Sequence, residues 1–201
     1  MMNGGEPVVR GGWRRGRHFL GAVLVAALAG CAALDMARAP SLDTVAEAMP
    51  AQLAGFALGE TARRPGPSLA FDYATPNRSA VGSVLVFDGA VRAPDDPADP
   101  IIDRELTSAV LELSEAPQGR TGRRLAERER ATLPELGLRC AVLTGAFGRA
   151  AVIRHVCIGG ADGRFVKVQV TMADSRPPPA DARAFAAAAL RAVRGAGAAR
   201  P

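Results

Sequence analysis

Two tight-turn signals lie between Leu138 and Met172, Gly148-Arg149 and Asp162-Gly163, and together they constrain the fold more than any other feature of the chain. A strand that starts at Leu138, turns at Gly148-Arg149 and returns to Ile158 sets Phe147 opposite Ala150 as a hydrogen-bonded pair. Pairs then alternate outward, and Cys140 meets Cys157 on a non-hydrogen-bonded pair, where side chains stand closest. Asp162-Gly163 is a type I′ signal, and a hairpin about it sets Ile153 opposite Met172, His155 opposite Val170 and Cys157 opposite Val168. Two turns chosen independently thus collect Cys140, Val142, Ile153, His155, Cys157, Val168, Val170 and Met172 on one face. The other face takes Arg139, Arg154, Lys167, Gln169 and Thr171. A slip of one residue would scramble both sets. Facing cysteines at this register lie within reach of a disulfide, with a pair of buried thiols as the alternative.

Earlier segments fit the same architecture. Phe56 and Leu58 begin a short strand, Leu69, Phe71 and Tyr73 alternate with Ala70, Asp72 and Ala74, and Ala80 to Phe87 is rich in Val. Asp88 to Pro100 is a loop. Its carboxylates Asp95, Asp96 and Asp99 lack the spacing of a calcium loop; they read as turn residues, with Asp99 as N-cap and Pro100 at the first helical position. The spacing of Ile102, Leu106, Ala109, Val110 and Leu113 predicts a helix from Pro100 to about Ala116 that covers a sheet. Pro117 to Arg124 is a polar loop, and the alternating charges of Leu125 to Leu133 predict a short solvated helix. After Pro177-Pro178-Pro179, Ala180 to Arg194 forms a helix that turns Phe185, Ala186, Ala189, Leu190 and Val193 toward the apolar face, and Gly195 ends it. The expected fold is an α+β sandwich, a largely antiparallel sheet of about six strands covered by two long helices. This element order is similar to that of the PsbP-like sandwich, a resemblance that implies a non-catalytic envelope or assembly role.

The front of the chain is of another kind. Arg10, Arg14, Arg15, Arg17 and His18 precede the apolar run Phe19 to Ala29, a basic segment followed by one too short to cross a bilayer, since a spanning helix needs about 20 apolar residues. The run closes on Leu28-Ala29-Gly30-Cys31, which resembles the lipobox of bacterial lipoproteins. That resemblance implies a leader over residues 1–30, diacylglyceryl transfer to the Cys31 sulfur, cleavage between Gly30 and Cys31, and a further acyl chain on the new amino terminus. Two or more chains give stable membrane anchoring where one does not. Ala32 in place of Asp implies sorting to the outer rather than the inner membrane. Residues 31–50 are then expected to be a flexible tether, with a short helix from Leu42 capped by Ser41, residues 51–195 a single α+β domain, and residues 196–201 a disordered tail.

Removing the leader takes four of the 25 basic and one of the 20 acidic residues, leaving 21 against 19 and a net charge of +2. That balance removes the electrostatic case for nucleic acid. The two remaining cysteines form an even pair in an oxidising compartment. His155 is the only histidine after the leader; a zinc set of His155, Cys140 and Cys157 lacks a fourth ligand, and a disulfide would consume both thiols. No metal, cofactor or catalytic constellation is expected. Arg120, Arg123 and Arg124, in a Gly-rich loop without the Gly-Lys-Ser/Thr ending of a P-loop, are candidates for contact with anionic lipid. The expected role is a binding or assembly module facing the periplasm, with acyl chains on Cys31 as its membrane contact and an envelope protein or anionic lipid as partner. The alternative is a lipid or small-molecule carrier with a pocket between sheet and helix, near Phe71 and Tyr73. Intact-mass spectrometry of detergent-extracted protein is expected to give a chain that starts at Cys31 and carries a diacylglyceryl group. A bare sulfur or a retained leader contradicts the anchor.

Overall fold

The computed structural model describes residues 39–115 and 124–198. The leader, Cys31, and the loop arginines Arg120 and Arg123 lie outside the described residues; Arg124 is the first residue of a strand. Among the described residues, eight strands form one antiparallel sheet with three α-helices. In chain order they are α1 (Leu42–Ala48), β1 (Gln52–Leu53), β2 (Phe56–Arg64), β3 (Ser68–Ala74), β4 (Ala80–Phe87), α2 (Pro100–Glu115), β5 (Arg124–Leu133), β6 (Leu138–Phe147), β7 (Ala150–Ala161), β8 (Arg164–Ala173) and α3 (Ala182–Ala198). The sheet runs β1-β2-β3-β4-β8-β7-β6-β5. Two four-stranded meanders thus meet where β4 pairs with β8, and α2 is the crossover between them.

The β6-β7-β8 register matches the one expected from the turns: Cys140 opposite Cys157, His155 opposite Val170, Ile153 opposite Met172. Asp162 and Gly163 both hold positive φ, 52° and 85°, as a type I′ turn requires. The two cysteines are joined in a disulfide with a Cα separation of 4.1 Å, close to the short spacing of a non-hydrogen-bonded antiparallel pair.

Helices cover both faces. α3 and α1 lie on the face of Cys140, Val168, Val170 and Met172, where the rings of Phe56 and Phe185 sit 4.4 Å apart and those of Tyr73 and Phe185 5.4 Å apart. A methyl at Gly82 would come within 2.8 Å of the Phe185 ring, so the bare backbone there is what lets the ring lie down on the sheet. α2 lies on the opposite face; its apolar stripe of Ile102, Leu106, Ala109, Val110 and Leu113 is buried against Ala141, Leu143, Val156, Ile158 and Phe165. Asp99 caps it as expected, accepting from the Ile101 amide at 2.7 Å.

Several expectations are corrected. The sheet has eight strands instead of about six, because Gln52–Leu53 adds a short edge and Arg124–Leu133 is a strand instead of a solvated helix. The backbone of β6 requires a second neighbour, and that tertiary demand overrides a charge pattern compatible with a helix surface. Both long edges are guarded. β5 carries Arg124, Glu127, Arg128, Glu129 and Arg130 with a bulge between Glu127 and Glu129, and β2 bulges between Leu58 and Thr61. The folded unit also starts earlier than residue 51: Val45 is 0% and Met49 6% exposed, so α1 belongs to the core and not to the tether. At the other end α3 continues through Gly195 to Ala198, with Ala196 buried, so neither the Gly195 stop nor a tail from residue 196 holds.

The disulfide closes a sequence separation of 17, which the chain-entropy account values at about 3 kcal/mol. Cys140→Ala/Cys157→Ala is expected to lose stability of that order in urea unfolding. The wild-type midpoint is expected to fall toward that of the variant when reductant is added.

Candidate functional site

One amphipathic helix is too narrow for the face it lies on. α2 covers the half built by β5, β6 and β7, and the same face of β2, β3, β4 and β8 lies open as a trough. Alternation along the strands sets its floor: Ala70 and Asp72 from β3, Val81, Ser83 and Leu85 from β4, and Lys167, Gln169 and Thr171 from β8. Two recesses, of about 650 and 390 Å³, share Asp72, Ser83 and Gln169 and so form one continuous groove. Val81 is 45% exposed, an aliphatic side chain standing among polar neighbours.

The walls are held by polar contacts. Lys167 Nζ lies 3.3 Å from Glu112 Oε2 of α2, and Arg154 Nε donates to Thr171 Oγ1 at 2.7 Å. The β3–β4 turn closes one end: Thr75 Oγ1 accepts from the Ala80 amide at 3.1 Å, and Asn77 Oδ1 accepts from the Ser79 amide at 3.1 Å. Arg78 in that turn has φ 55°, and it lines the recess. The far side of α2 is fixed by ions. Arg130 Nη1 and Arg139 Nε donate to the same Asp103 oxygen at 2.9 and 2.7 Å, and Arg130 also grips Glu127 at 2.7 Å. Burial works against the Asp103 charge, but the hydrogen bonds from Arg130 and Arg139 outweigh it and hold the carboxyl below its ordinary value. The hydrogen bond from Arg130 does the same for Glu127.

The residues singled out in the sequence fall elsewhere. Cys140 and Cys157 are bonded to each other on the α3 face, so beside His155 they offer no thiolate to a metal. Asp96 and Asp99 accept local amides at 2.9 and 2.7 Å as turn and cap residues. Phe71 and Tyr73 are 0% and 2% exposed. The Tyr73 hydroxyl donates to the Pro50 carbonyl at 2.8 Å, and burial pushes its pKa up to about 12. The space beside them is filled by the Phe185 ring. Burial, reinforced by the charge of Arg183, holds the His155 imidazole below its ordinary value of 6.5. No protein-family model matches the chain, and no curated protein is significantly similar to it.

Sequence reasoning placed Lys167, Gln169 and Thr171 on a polar face but did not identify the trough or its limits. The signal that separates the halves is two-sided: β6 and β7 carry apolar residues at both parities, as in Cys140-Ala141-Val142-Leu143 and Val156-Cys157-Ile158, whereas β8 alternates Val with Lys, Gln and Thr.

Asp103 and Glu127 have depressed carboxyl values, so their contribution is complete only above the ordinary values of 3.8 and 4.5 and is lost as pH falls through the lower folded values. Asp103→Ala is expected to cost about 1 kcal/mol or less, because that side chain is 41% exposed and water screens it. Urea unfolding followed from pH 6 to pH 2 is expected to show a shallower acid loss in the variant than in the wild type.

Proposed function

We propose that this chain is a lipid-anchored envelope protein, held by acyl chains on Cys31 and facing the periplasm, whose domain acts by binding another envelope component. The proposal assigns it to the outer rather than the inner membrane, on Ala32. The observation that carries the binding role is the open half-sheet. It is a broad, shallow trough with aliphatic Val81 and Leu85 set among Ser83, Gln169 and Thr171, and this mixture of apolar and hydrogen-bonding groups is the character of a protein-contact surface. An enzyme or carrier site is more often an enclosed, mainly apolar cavity.

One further point supports the reading. The place where a carrier would keep its ligand, beside Phe71 and Tyr73, is packed with the rings of Phe56 and Phe185. Among the described residues no helix is long and apolar enough to cross a membrane. Arg120 and Arg123, with Arg124 at the start of β5, are proposed as an auxiliary contact with anionic lipid headgroups.

A photoreactive residue at position 83 of the native lipoprotein is expected to crosslink a defined envelope component in intact cells. Val81→Arg is expected to abolish that product, and a photoreactive residue at Leu111, 50% exposed on the outer side of α2, is expected to give none. The same product from position 111, or its persistence in Val81→Arg, overturns the trough as the contact surface.

A further inference from the structure

The α3 face of the sheet carries a second recess, of about 610 Å³, where the segment after β8 doubles back into α3. It lies apart from the trough, on the other side of the sheet. Val142, Ile153 and Met172 form its floor, and Pro177 and Pro178 form an apolar wall. Its volume lies within the range of small-molecule sites, about 300–1,000 Å³.

The polar groups around this apolar body are unbalanced. Glu129, Asp174 and Asp181 line the recess against one guanidinium, Arg183, and Arg183 Nη2 is already spent on Glu129 Oε1 at 3.3 Å. His155 lines it too, and burial disfavours the charged imidazole that could offset the remaining carboxylates. The α3 N-terminus would favour an anion, but Asp181 caps it, accepting the Ala184 amide at 2.9 Å and returning a full negative charge to that end. An apolar floor beneath an exposed rim that holds more carboxylates than cations suits an apolar body bearing a positive charge.

We propose that this recess binds small hydrophobic amines, the hydrocarbon part resting on Val142, Ile153 and Met172 and the ammonium group held between Asp174 and Asp181. The His155 ring is then a contact of the bound molecule and its natural reporter. Nothing in this assignment depends on the trough or on the membrane anchor.

The test uses three probes with one body, benzylammonium, benzyl alcohol and benzoate, titrated at pH 7.5 against the full chain in nonionic detergent. The His155 ring protons are followed by NMR. Saturable shifts are expected with benzylammonium below about 10 mM, an affinity ordinary for so small a ligand. Benzyl alcohol is expected to bind about five-fold more weakly, and benzoate more weakly still. Asp174→Asn, a change at an exposed carboxylate, is expected to weaken benzylammonium about five-fold while leaving benzyl alcohol unaffected; Glu129→Gln, which releases Arg183 toward the recess, is expected to weaken it as well. Val81→Arg in the trough is expected to change nothing. Equal binding of benzoate and benzylammonium, an unchanged affinity in both carboxylate variants, or no shift at His155 up to about 10 mM overturns the proposal.

Discussion

The antiparallel register of β6, β7 and β8 is the constraint from which the rest of the structure descends. Because side chains alternate between faces, fixing Cys140 opposite Cys157 and Cys157 opposite Val168 decides the face of every residue in the three strands at once. The Asp162-Gly163 turn sets the register on one side and the disulfide locks it on the other. β4 then pairs along β8 from Ala80–Met172 to Phe87–Phe165, and the first meander inherits the same division of faces. The aromatic packing of Phe56, Tyr73 and Phe185, the position of α2 and the composition of the trough are all consequences.

A sheet this wide presents two faces that one domain of this length does not fully cover. α3 with α1 serves one face, and α2 serves half of the other. The half that stays open is polar in alternate positions, so it tolerates water. It is also backed by a complete core on its reverse side, with Val84, Val86, Val166 and Val168 all buried, and this makes it a rigid surface. Local hydrogen bonds fix its boundary, through the Lys167–Glu112 contact on one wall and the Thr75–Ala80 turn at the end.

Much of this was legible in the amino acids alone. The hairpin register, the α2 stripe, and the Ser41 and Asp99 caps follow from turn chemistry, periodicity and N-cap preferences, which are local and act within a few residues. What escaped is non-local. Arg124–Leu133 has no periodicity of its own that demands a strand; it becomes one because the free edge of β6 requires hydrogen-bond partners, and its charges find α2 through Asp103. Gly195 looks like a helix stop, yet packing of Val193 and Ala196 on the core carries α3 past it. The trough was visible only as a row of polar residues, since which part of a face a helix covers depends on where the crossover lands, and no single segment encodes that.

The two bulged, charge-bearing margins of the sheet have a further meaning for a chain held at a membrane surface, as proposed here. Confinement to a plane multiplies encounters between neighbouring copies, and an open sheet margin is the natural place for such encounters to become permanent fibrous stacking. With Arg and Glu crowded along one margin and a break in pairing on each, neighbours can touch and part again, so crowding is tolerated without the molecules fusing into one another.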